Sequence, residues 1–128
     1  MARSNSWRAR CLQDPRLIDP GLWRTQYYQV LADRAVRATL ATLSMDPNGY
    51  TLCLMGCDDA RIAELNEAFR GKGKPTNVLS WPSEDRAPGQ PGTAPAPPDP
   101  GTADDPTELG DIALAYETCM AEALGTSL

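Results

Sequence analysis

Residues 50–57, with the sequence YTLCLMGC, constrain the fold more than any other part of this chain. They carry no charge and form a nearly continuous apolar run, which is typical of a strand with both faces covered. Pro47 and the Asn48-Gly49 pair precede them and predict a turn, because Asn and Gly tolerate positive φ. The sequence therefore predicts a strand in the middle of an α/β or α+β sheet.

A long helical pattern precedes this strand, over residues 22–43. Apolar side chains recur mostly on one side of it at helical spacing, the pattern of a helix that packs one side against a core. These residues are Trp23, Tyr27, Val30, Leu31 and Val36. Before the helix, residues 14–23 (DPRLIDPGLW) are predicted as an extended entry that Pro15 and Pro20 interrupt.

A second helix is predicted directly after the strand. Asp58 or Asp59 can cap it by accepting hydrogen bonds from its first free N–H groups. Gly71 suits the left-handed residue that ends this helix just beyond Arg70. The apolar side of the helix is predicted from the spacing i, i+3, i+7. This side consists of Ile62, Leu65 and Phe69.

The remaining elements complete the fold class. Residues 76–81 (TNVLSW) are predicted as a strand that Pro82 ends, and residues 109–115 as a third strand with Ile112 and Leu114 on one face. A short helix follows from residue 117. The sequence thus predicts an α+β fold, a small mixed β-sheet packed with helices, in one domain over residues 1–128. We expect the last helical layer to be incomplete.

Residues 87–106 (APGQPGTAPAPPDPGTADDP) interrupt this plan. They hold seven prolines and three glycines, and no aromatic or large aliphatic side chain. Such a segment buries too little apolar surface to offset the conformational entropy of ordering it. We therefore expect a disordered surface insertion within the domain. A proline-rich docking tract is the functional alternative.

Charge is distributed unevenly along the chain, although the formal net charge is −5. Residues 1–44 hold seven arginines against three aspartates, whereas residues 45–128 hold five basic against fourteen acidic residues. A local basic face can still bind phosphates, because charges interact within a Debye length of about 8 Å. No run approaches the roughly 18 apolar residues that span a bilayer. We expect a cytoplasmic protein without a membrane partner.

The four cysteines predict neither disulfides nor a zinc finger. Cys53 and Cys57 lie four residues apart in one strand, so their Cα atoms would be about 13 Å apart, beyond the roughly 7 Å that a disulfide allows. Cys11 and Cys119 are isolated, the chain has no C-x-x-C pair, and it contains no histidine. The sequence predicts reduced thiols that act as small apolar residues.

Residues 70–74 (RGKGK), which we call the basic loop, are the strongest binding signal that the residues themselves provide. Two glycines let the backbone approach a ligand closely, and three cations stand close together at the end of a helix. Arginine can hold a phosphate through two parallel hydrogen bonds, and lysine adds a point charge. The alternative is a solvated loop that offsets the helix dipole. The Walker pattern is absent.

Two strings around this loop resemble a known family. LNEAFRGKGKPTNVLSWP and, after the insertion, ELGDIAL are similar to the YbeY family of bacterial endoribonucleases and rRNA maturation factors. The lead-in LMGCDDARIAELN agrees with the same family. The resemblance implies a zinc-dependent, single-strand-specific endoribonuclease that acts in rRNA 3′-end maturation and ribosome quality control. Single-stranded RNA or rRNA and the ribosomal small subunit with its proteins would be the partners, and DNA would not.

The resemblance also implies roles for individual residues. Arg70 matches an arginine near the active site of the family, so it would grip a phosphate of the RNA and is a candidate catalytic residue. Lys72 and Lys74 match basic positions that would hold the RNA backbone, and Asn77, which stands where the family has Asn or Asp, would be a further RNA-binding residue. Asp111, in the Gly-Asp pair of the strand nearest the catalytic centre, is left with two roles, catalysis or orientation of the site.

The zinc ligands of the family are missing from this sequence. Family members bind one zinc ion through three histidines in an H-G-x-L-H-L-x-G-x-D-H motif, and this chain has no histidine. We therefore expect no metal ligands here, a chain that is a fragment or a truncated product, and no metal-dependent cleavage by it alone. A non-catalytic remnant that binds RNA or the ribosome through the basic loop is the alternative function.

A magnesium-type site would need carboxylates instead of histidines. The candidate ligands are Asp104, Asp105, Glu108 and Asp111. Three of them lie in or beside the proline-rich segment, and we expect such a mobile stretch to be a poor support for a metal site.

Overall fold

The computed structural model describes residues 7–15, 21, 23 and 26–125. In chain order the elements are β1 (Arg10–Gln13), α1 (Gln26–Thr42), β2 (Tyr50–Cys57), α2 (Asp59–Arg70), β3 (Val78–Pro82), β4 (Thr107–Ala115) and α3 (Tyr116–Gly125). A small mixed sheet with helices confirms the predicted α+β fold. The predicted entry at residues 14–23 and the first turn of the long helix lie largely outside the described residues. None of the described helices is long and apolar enough to cross a membrane.

The four strands of the described residues lie in the order β1-β2-β4-β3. β1, β2 and β4 run parallel, and β3 pairs with β4 antiparallel. This order confirms that residues 50–57 form an interior strand. β1 was not predicted, because it has only four residues, which alternate between exposed and half-buried. It forms because β2 has a free backbone edge to which a short extended segment can hydrogen bond.

Apolar clusters cover both faces of the sheet, as the composition of β2 predicts. On one face, α2 packs over the sheet. This cluster consists of Met55, Cys57, Ile62, Leu65, Leu79, Trp81, Ala113 and Ala115. On the other face, α1 packs over the sheet. This cluster consists of Trp7, Ala9, Cys11, Ala32, Val36, Leu52, Leu54, Leu109, Ile112 and Leu114. Ile112 and Leu114 thus share a face, as predicted.

The prediction for the buried side of α1 is wrong for three of its five residues, whereas Val36 packs against the core and Trp23 is half-buried. Tyr27, Val30 and Leu31 are 61%, 51% and 58% exposed. The helix instead buries a side that is partly polar. This side includes Ala32, Asp33, Val36 and Leu40.

Hydrogen bonds to the N-terminal segment explain this orientation of α1. The Asp33 Oδ1 atom accepts a hydrogen bond from the Ala9 backbone N–H at 2.7 Å, and the Gln29 side-chain amide donates to the Ala9 carbonyl oxygen at 2.8 Å. Rotating Tyr27 and Leu31 inward would turn these polar groups away from the backbone they satisfy. Because a buried backbone N–H without a partner costs about 1–3 kcal/mol, the polar side of the helix is retained in the interior.

α2 begins and ends as its sequence predicts. Asp58 is the N-cap, and its side chain accepts a hydrogen bond from the Arg61 backbone N–H at 2.9 Å. Gly71 follows the helix with φ of 69°, the left-handed conformation that favours glycine. Ile62 is fully buried. Phe69, which was predicted to share its buried side, is 63% exposed.

The turn before β2 lies where it was predicted, but its conformation differs. Pro47–Gly49 form a short 3-10 turn, and the Asp46 side chain accepts a hydrogen bond from the Asn48 backbone N–H. Among the described residues, Ser44 and three glycines at positions 71, 92 and 110 have positive φ, so Asn48 and Gly49 do not use it. Proline at the first helical position and an aspartate cap are sufficient to form this turn.

The cysteines are unpaired, as predicted. All four are free thiols. Cys57 is fully buried, and Cys11, Cys53 and Cys119 are half-buried. Burial, with a smaller contribution from Asp14, raises the pKa of the Cys57 thiol to about 12. Such thiols are neutral near pH 7 and pack as apolar side chains.

Residues 87–106 contain no helix or strand and are mostly exposed. The segment is nevertheless tied to the fold at one end. The Tyr50 hydroxyl donates to the Pro98 carbonyl oxygen at 2.7 Å, the Gly101 N–H donates to the Gly49 carbonyl oxygen at 2.8 Å, and the Thr107 hydroxyl donates to the Asp99 carbonyl oxygen. Its disorder in solution stays a prediction.

An apolar groove of about 750 Å³ lies between α1, the adjacent sheet face and the proline-rich segment. On the opposite side of the molecule, α3 contains no buried residue, and Met120 and Leu124 are exposed. The incomplete helical layer stays a prediction.

Candidate functional site

One row of residues crosses the sheet on the face that α2 covers. Arg10 of β1 is in register with Cys53 of β2, Cys53 with Asp111 of β4, and Asp111 with Trp81 of β3. Residues in register across a sheet project to the same face. The row therefore brings Asp111, a predicted site residue, next to a tryptophan that the sequence analysis did not assign to the site.

A bulge in β4 places Asp111 in this row. Thr51 pairs with Glu108, but Cys53 pairs with Asp111, so β4 advances three residues while β2 advances two. Without the extra residue, the side chain of Asp111 would project to the opposite face, because side chains alternate along a strand. Gly110 makes the bulge possible. Its φ is 141°, and a Cβ atom there would collide with the Trp81 carbonyl oxygen.

A groove of about 520 Å³ lies over this row, beside the C-terminal half of α2. We call it the aromatic groove. Phe69 and Trp81 form one wall, with ring centroids 5.3 Å apart in an edge-to-face arrangement. Asp111 is the charged residue among those that line it. The other lining residues are Leu12, Cys53, Met55, Leu65, Ile112 and Ala113.

The basic loop begins beside this groove. Arg70 is the last residue of α2 and directly follows Phe69. Arg70, Lys72 and Lys74 are all exposed, and within the described part of the chain none of them forms an ion pair. Three positive charges are thus available to an anionic ligand at the end of α2.

A buried asparagine fixes the course of the basic loop. Asn66, 3% exposed, donates from its side-chain amide to the Lys74 carbonyl oxygen at 2.9 Å. Its own backbone carbonyl accepts a long hydrogen bond from the Lys72 N–H. Asn66 therefore holds the loop against α2, so the loop is anchored although its cations point into solvent. The sequence analysis missed this residue, although it stands in the LNEAF string beside the loop.

Asn77 lies away from the aromatic groove. Its side-chain amide donates to the Glu122 carboxylate at 3.0 Å, and its backbone carbonyl accepts hydrogen bonds from the Ala115 N–H and the Cys119 thiol. It therefore sits at the far end of β4, where α3 begins. The structure places Asp111 in the aromatic groove and Arg70 next in sequence to Phe69 of its wall, whereas Asn77 lies at the end of β4 where α3 begins.

The electrostatics of the row are predominantly acidic at the β4 side. Burial raises the pKa of the Cys53 thiol, Arg10 lowers it, and Asp111 and Glu108 raise it further. Arg10 also forms an ion pair with Glu108. Asp111 thus supplies a negative charge in the groove, while the basic loop starts one residue after Phe69 of the groove wall.

The residues present do not fit a three-histidine zinc centre. The chain has no histidine. Among residues 7–15, 21, 23 and 26–125, no group of three or more His, Cys, Asp or Glu side chains is arranged to hold a metal ion. This also applies to the acidic residues at 104, 105, 108 and 111. A zinc site needs at least three such ligands around one point.

The fold and the site together define an α+β domain. In it, the basic loop connects α2 to β3, the antiparallel edge strand of the sheet. Comparison with known proteins identifies its family. The family model for Endoribonuclease YbeY matches residues 21–127. The chain belongs to this family, which confirms the resemblance noted in its sequence.

Individual relatives agree with this assignment. The chain is 64% identical over 107 residues to the Endoribonuclease YbeY of Cereibacter sphaeroides and 54% identical over 107 residues to that of Jannaschia sp.. Each alignment covers 84% of this chain and 64% of the relative. A protein of the same name from Ruegeria pomeroyi is 54% identical over 114 residues, with 88% and 62% covered. The chain thus spans less than two thirds of the length of these relatives.

Besides Asn66, the sequence analysis missed Phe69 and Trp81 of the aromatic groove. Phe69 was assigned to the buried side of α2 because it lies seven residues after Ile62. A usable signal was nevertheless present. Both aromatic residues stand in the strings that flank the basic loop, and aromatic residues next to cations are typical of single-stranded nucleic-acid binding.

Proposed function

We propose that this chain forms the RNA-gripping part of a single-strand-specific endoribonuclease. The observation that carries the proposal is that the basic loop starts at Arg70, directly after Phe69 of the aromatic groove wall. Arg70, Lys72 and Lys74 bind consecutive phosphates, and the groove admits the unstacked bases that single strands offer. Double-stranded RNA and duplex DNA keep their bases stacked and are poorer ligands.

The proposed biological role rests on family membership. The proposed substrate is ribosomal RNA, cut during 3′-end maturation and ribosome quality control in the cytoplasm, and the small ribosomal subunit with its proteins is the proposed partner. Relatives named Endoribonuclease YbeY support the reaction class. Arg70 and Asp111 are the proposed active-site residues, Arg70 on the phosphate and Asp111 as a catalytic or orienting carboxylate. Asn77, whose side-chain amide donates to the Glu122 carboxylate, lies outside the aromatic groove, and its contact with RNA stays a prediction.

The zinc chemistry of the family is not assigned to this chain, because it has no histidine and no set of ligands within its described residues fits zinc. We propose that the 128 residues bind RNA and do not cleave it by themselves. Incubation of the purified chain with labelled single-stranded RNA and added zinc tests this point. Cleavage that a chelator abolishes would overturn it, and binding without cleavage would support it.

Salt dependence of RNA binding tests the role of the basic loop. If all three cations contact phosphates, the logarithm of the binding constant should fall against the logarithm of salt concentration with a slope of about −2. Replacing Arg70, Lys72 and Lys74 with alanine should abolish most binding and flatten this slope. Arg34→Ala is the matched control, since Arg34 is an exposed cation on the α1 side. Equal loss in both variants would contradict a specific loop contact.

A further inference from the structure

The aromatic groove has the size and lining of a nucleobase site. Its volume is about 520 Å³, and aliphatic and aromatic side chains form most of its surface. Phe69 is 63% exposed although it packs edge-to-face on Trp81, so most of its ring remains accessible to a stacking partner. A base stacked on an aromatic side chain typically contributes about 1–3 kcal/mol to single-strand binding.

The distribution of charge determines which part of an RNA chain enters the groove. Asp111 is the charged residue that lines it, and the neighbouring Glu108 is ion-paired with Arg10. A phosphate would be repelled by the Asp111 carboxylate, whereas the cations of the basic loop attract it. The phosphates therefore lie on the loop and the base lies in the groove.

The Asp111 carboxylate is available to read the edge of that base. It is exposed, and within the described residues no hydrogen-bond donor engages it. A carboxylate is an acceptor only, with two oxygens side by side. Guanine presents two adjacent donors on its Watson–Crick edge, N1–H and the N2 amino group. Adenine and cytosine present one amino donor beside an acceptor, and uracil presents one N–H between two carbonyl oxygens.

We propose that the aromatic groove binds a guanine base of single-stranded RNA, with Phe69 stacking on the base and Asp111 accepting hydrogen bonds from N1–H and N2–H. This proposal rests on the proposed function and specifies its substrate. It assigns Asp111 a role in base selection. It also predicts that RNA is held preferentially at a guanosine whose neighbouring phosphate lies on Arg70.

Fluorescence anisotropy with the whole 128-residue chain tests the proposal. The ligands are a short labelled oligouridine and the same oligonucleotide with one central guanosine or one central inosine. The guanosine ligand should bind at least about five-fold more tightly than oligouridine, the lower limit for a good bidentate contact. Inosine, which lacks the N2 amino group, should fall between them. These ligand changes need no protein variant, so folding does not affect them.

Two variants identify the residues responsible. Asp111→Asn keeps the size of the side chain but offers one acceptor and one donor, so the guanosine preference should disappear. Phe69→Ala should weaken all three ligands roughly five-fold or more, because stacking does not distinguish bases. Thermal unfolding of each variant is the folding control.

The outcomes separate this inference from the proposed function. If all three ligands bind equally tightly and binding still needs the basic loop, the proposed function stands and base selection is wrong. If the guanosine preference persists in Asp111→Asn, a different group reads the base and the proposal is overturned. If no ligand binds, both proposals are wrong.

Discussion

Asp111 lies directly opposite Trp81 in the antiparallel pairing of β4 with β3. One residue earlier, Gly110 provides the bulge that rotates Asp111 onto the face of the aromatic groove. The Gly-Asp pair therefore has a physical explanation. The glycine adopts a conformation that other residues avoid, and the aspartate gains its position beside Trp81 only because of it.

Gly110→Ala should destabilise the fold by about 3 kcal/mol, because the residue has φ of 141° and its new Cβ atom would meet the Trp81 carbonyl oxygen. Urea unfolding followed by circular dichroism measures the change. Gly89→Ala is the control. Nothing lies within 4 Å of a Cβ atom there, so its effect should stay below about 0.5 kcal/mol. Similar unfolding midpoints for the two variants would contradict the bulge argument.

The orientation of α1 can be tested with two substitutions in one helix. Leu31 is 58% exposed, so Leu31→Lys should change the free energy of unfolding by less than about 0.5 kcal/mol. Leu40 is buried, and Leu40→Ala should lower it by about 2–5 kcal/mol. Denaturant unfolding of both variants gives the comparison. If Leu31→Lys lowers the free energy of unfolding more than Leu40→Ala does, the buried side of α1 is the one predicted from the sequence.

Asp33 should be essential for holding the N-terminal segment on α1. Asp33→Ala removes the acceptor of the buried Ala9 N–H and should cost about 1–3 kcal/mol. Hydrogen exchange should show loss of protection in β1 before the rest of the sheet. Asp33→Asn retains a side-chain oxygen that can accept this hydrogen bond, so it should recover most of the stability. If the asparagine variant is as unstable as the alanine variant, the ion pair with Arg8 matters more than the hydrogen bond.

Cys57 should make the stability of the protein fall at high pH. Burial raises the pKa of its thiol from 9.0 to about 12, so the unfolded chain loses this proton at lower pH than the folded chain. Stability from the buried neutral thiol is therefore complete below pH 9.0 and decreases as pH rises toward about 12. Urea unfolding of the protein and of Cys57→Ala under reducing conditions measures this. The difference in unfolding free energy between the protein and Cys57→Ala should become smaller as pH rises from 9.0 to about 12. A difference that stays constant would show that ionisation of Cys57 does not affect stability.

Sequence alone predicted the local elements well where one residue type dictates the backbone. The eight residues of β2, the Asp58 cap and the Gly71 stop lie where they were predicted. Proline, glycine and capping residues act through their immediate neighbours, so their effect is readable without the tertiary fold. The family resemblance was also readable, because its strings are contiguous in the chain.

The basic loop and Asp111 were singled out from the sequence, but their surroundings were not. Phe69 was placed in the core, and Trp81 was not assigned to the site at all. A helical spacing gives the relative directions of side chains and not the side that faces the sheet. The same limit explains the wrong face of α1, where Asp33 and Gln29 had no visible partner in the sequence.

The sequence by itself determined an α+β domain of the YbeY family, its interior strand, a cationic loop after a capped helix, and the lack of histidine ligands. The tertiary structure alone decided that β1 pairs beside β2, that α1 turns a polar side inward, and that Asp111 shares a groove with Phe69 and Trp81. The physical reason is the separation along the chain of the residues that interact. Capping and turn formation depend on residues a few positions apart, whereas strand pairing, helix orientation and the groove depend on contacts between residues far apart in sequence.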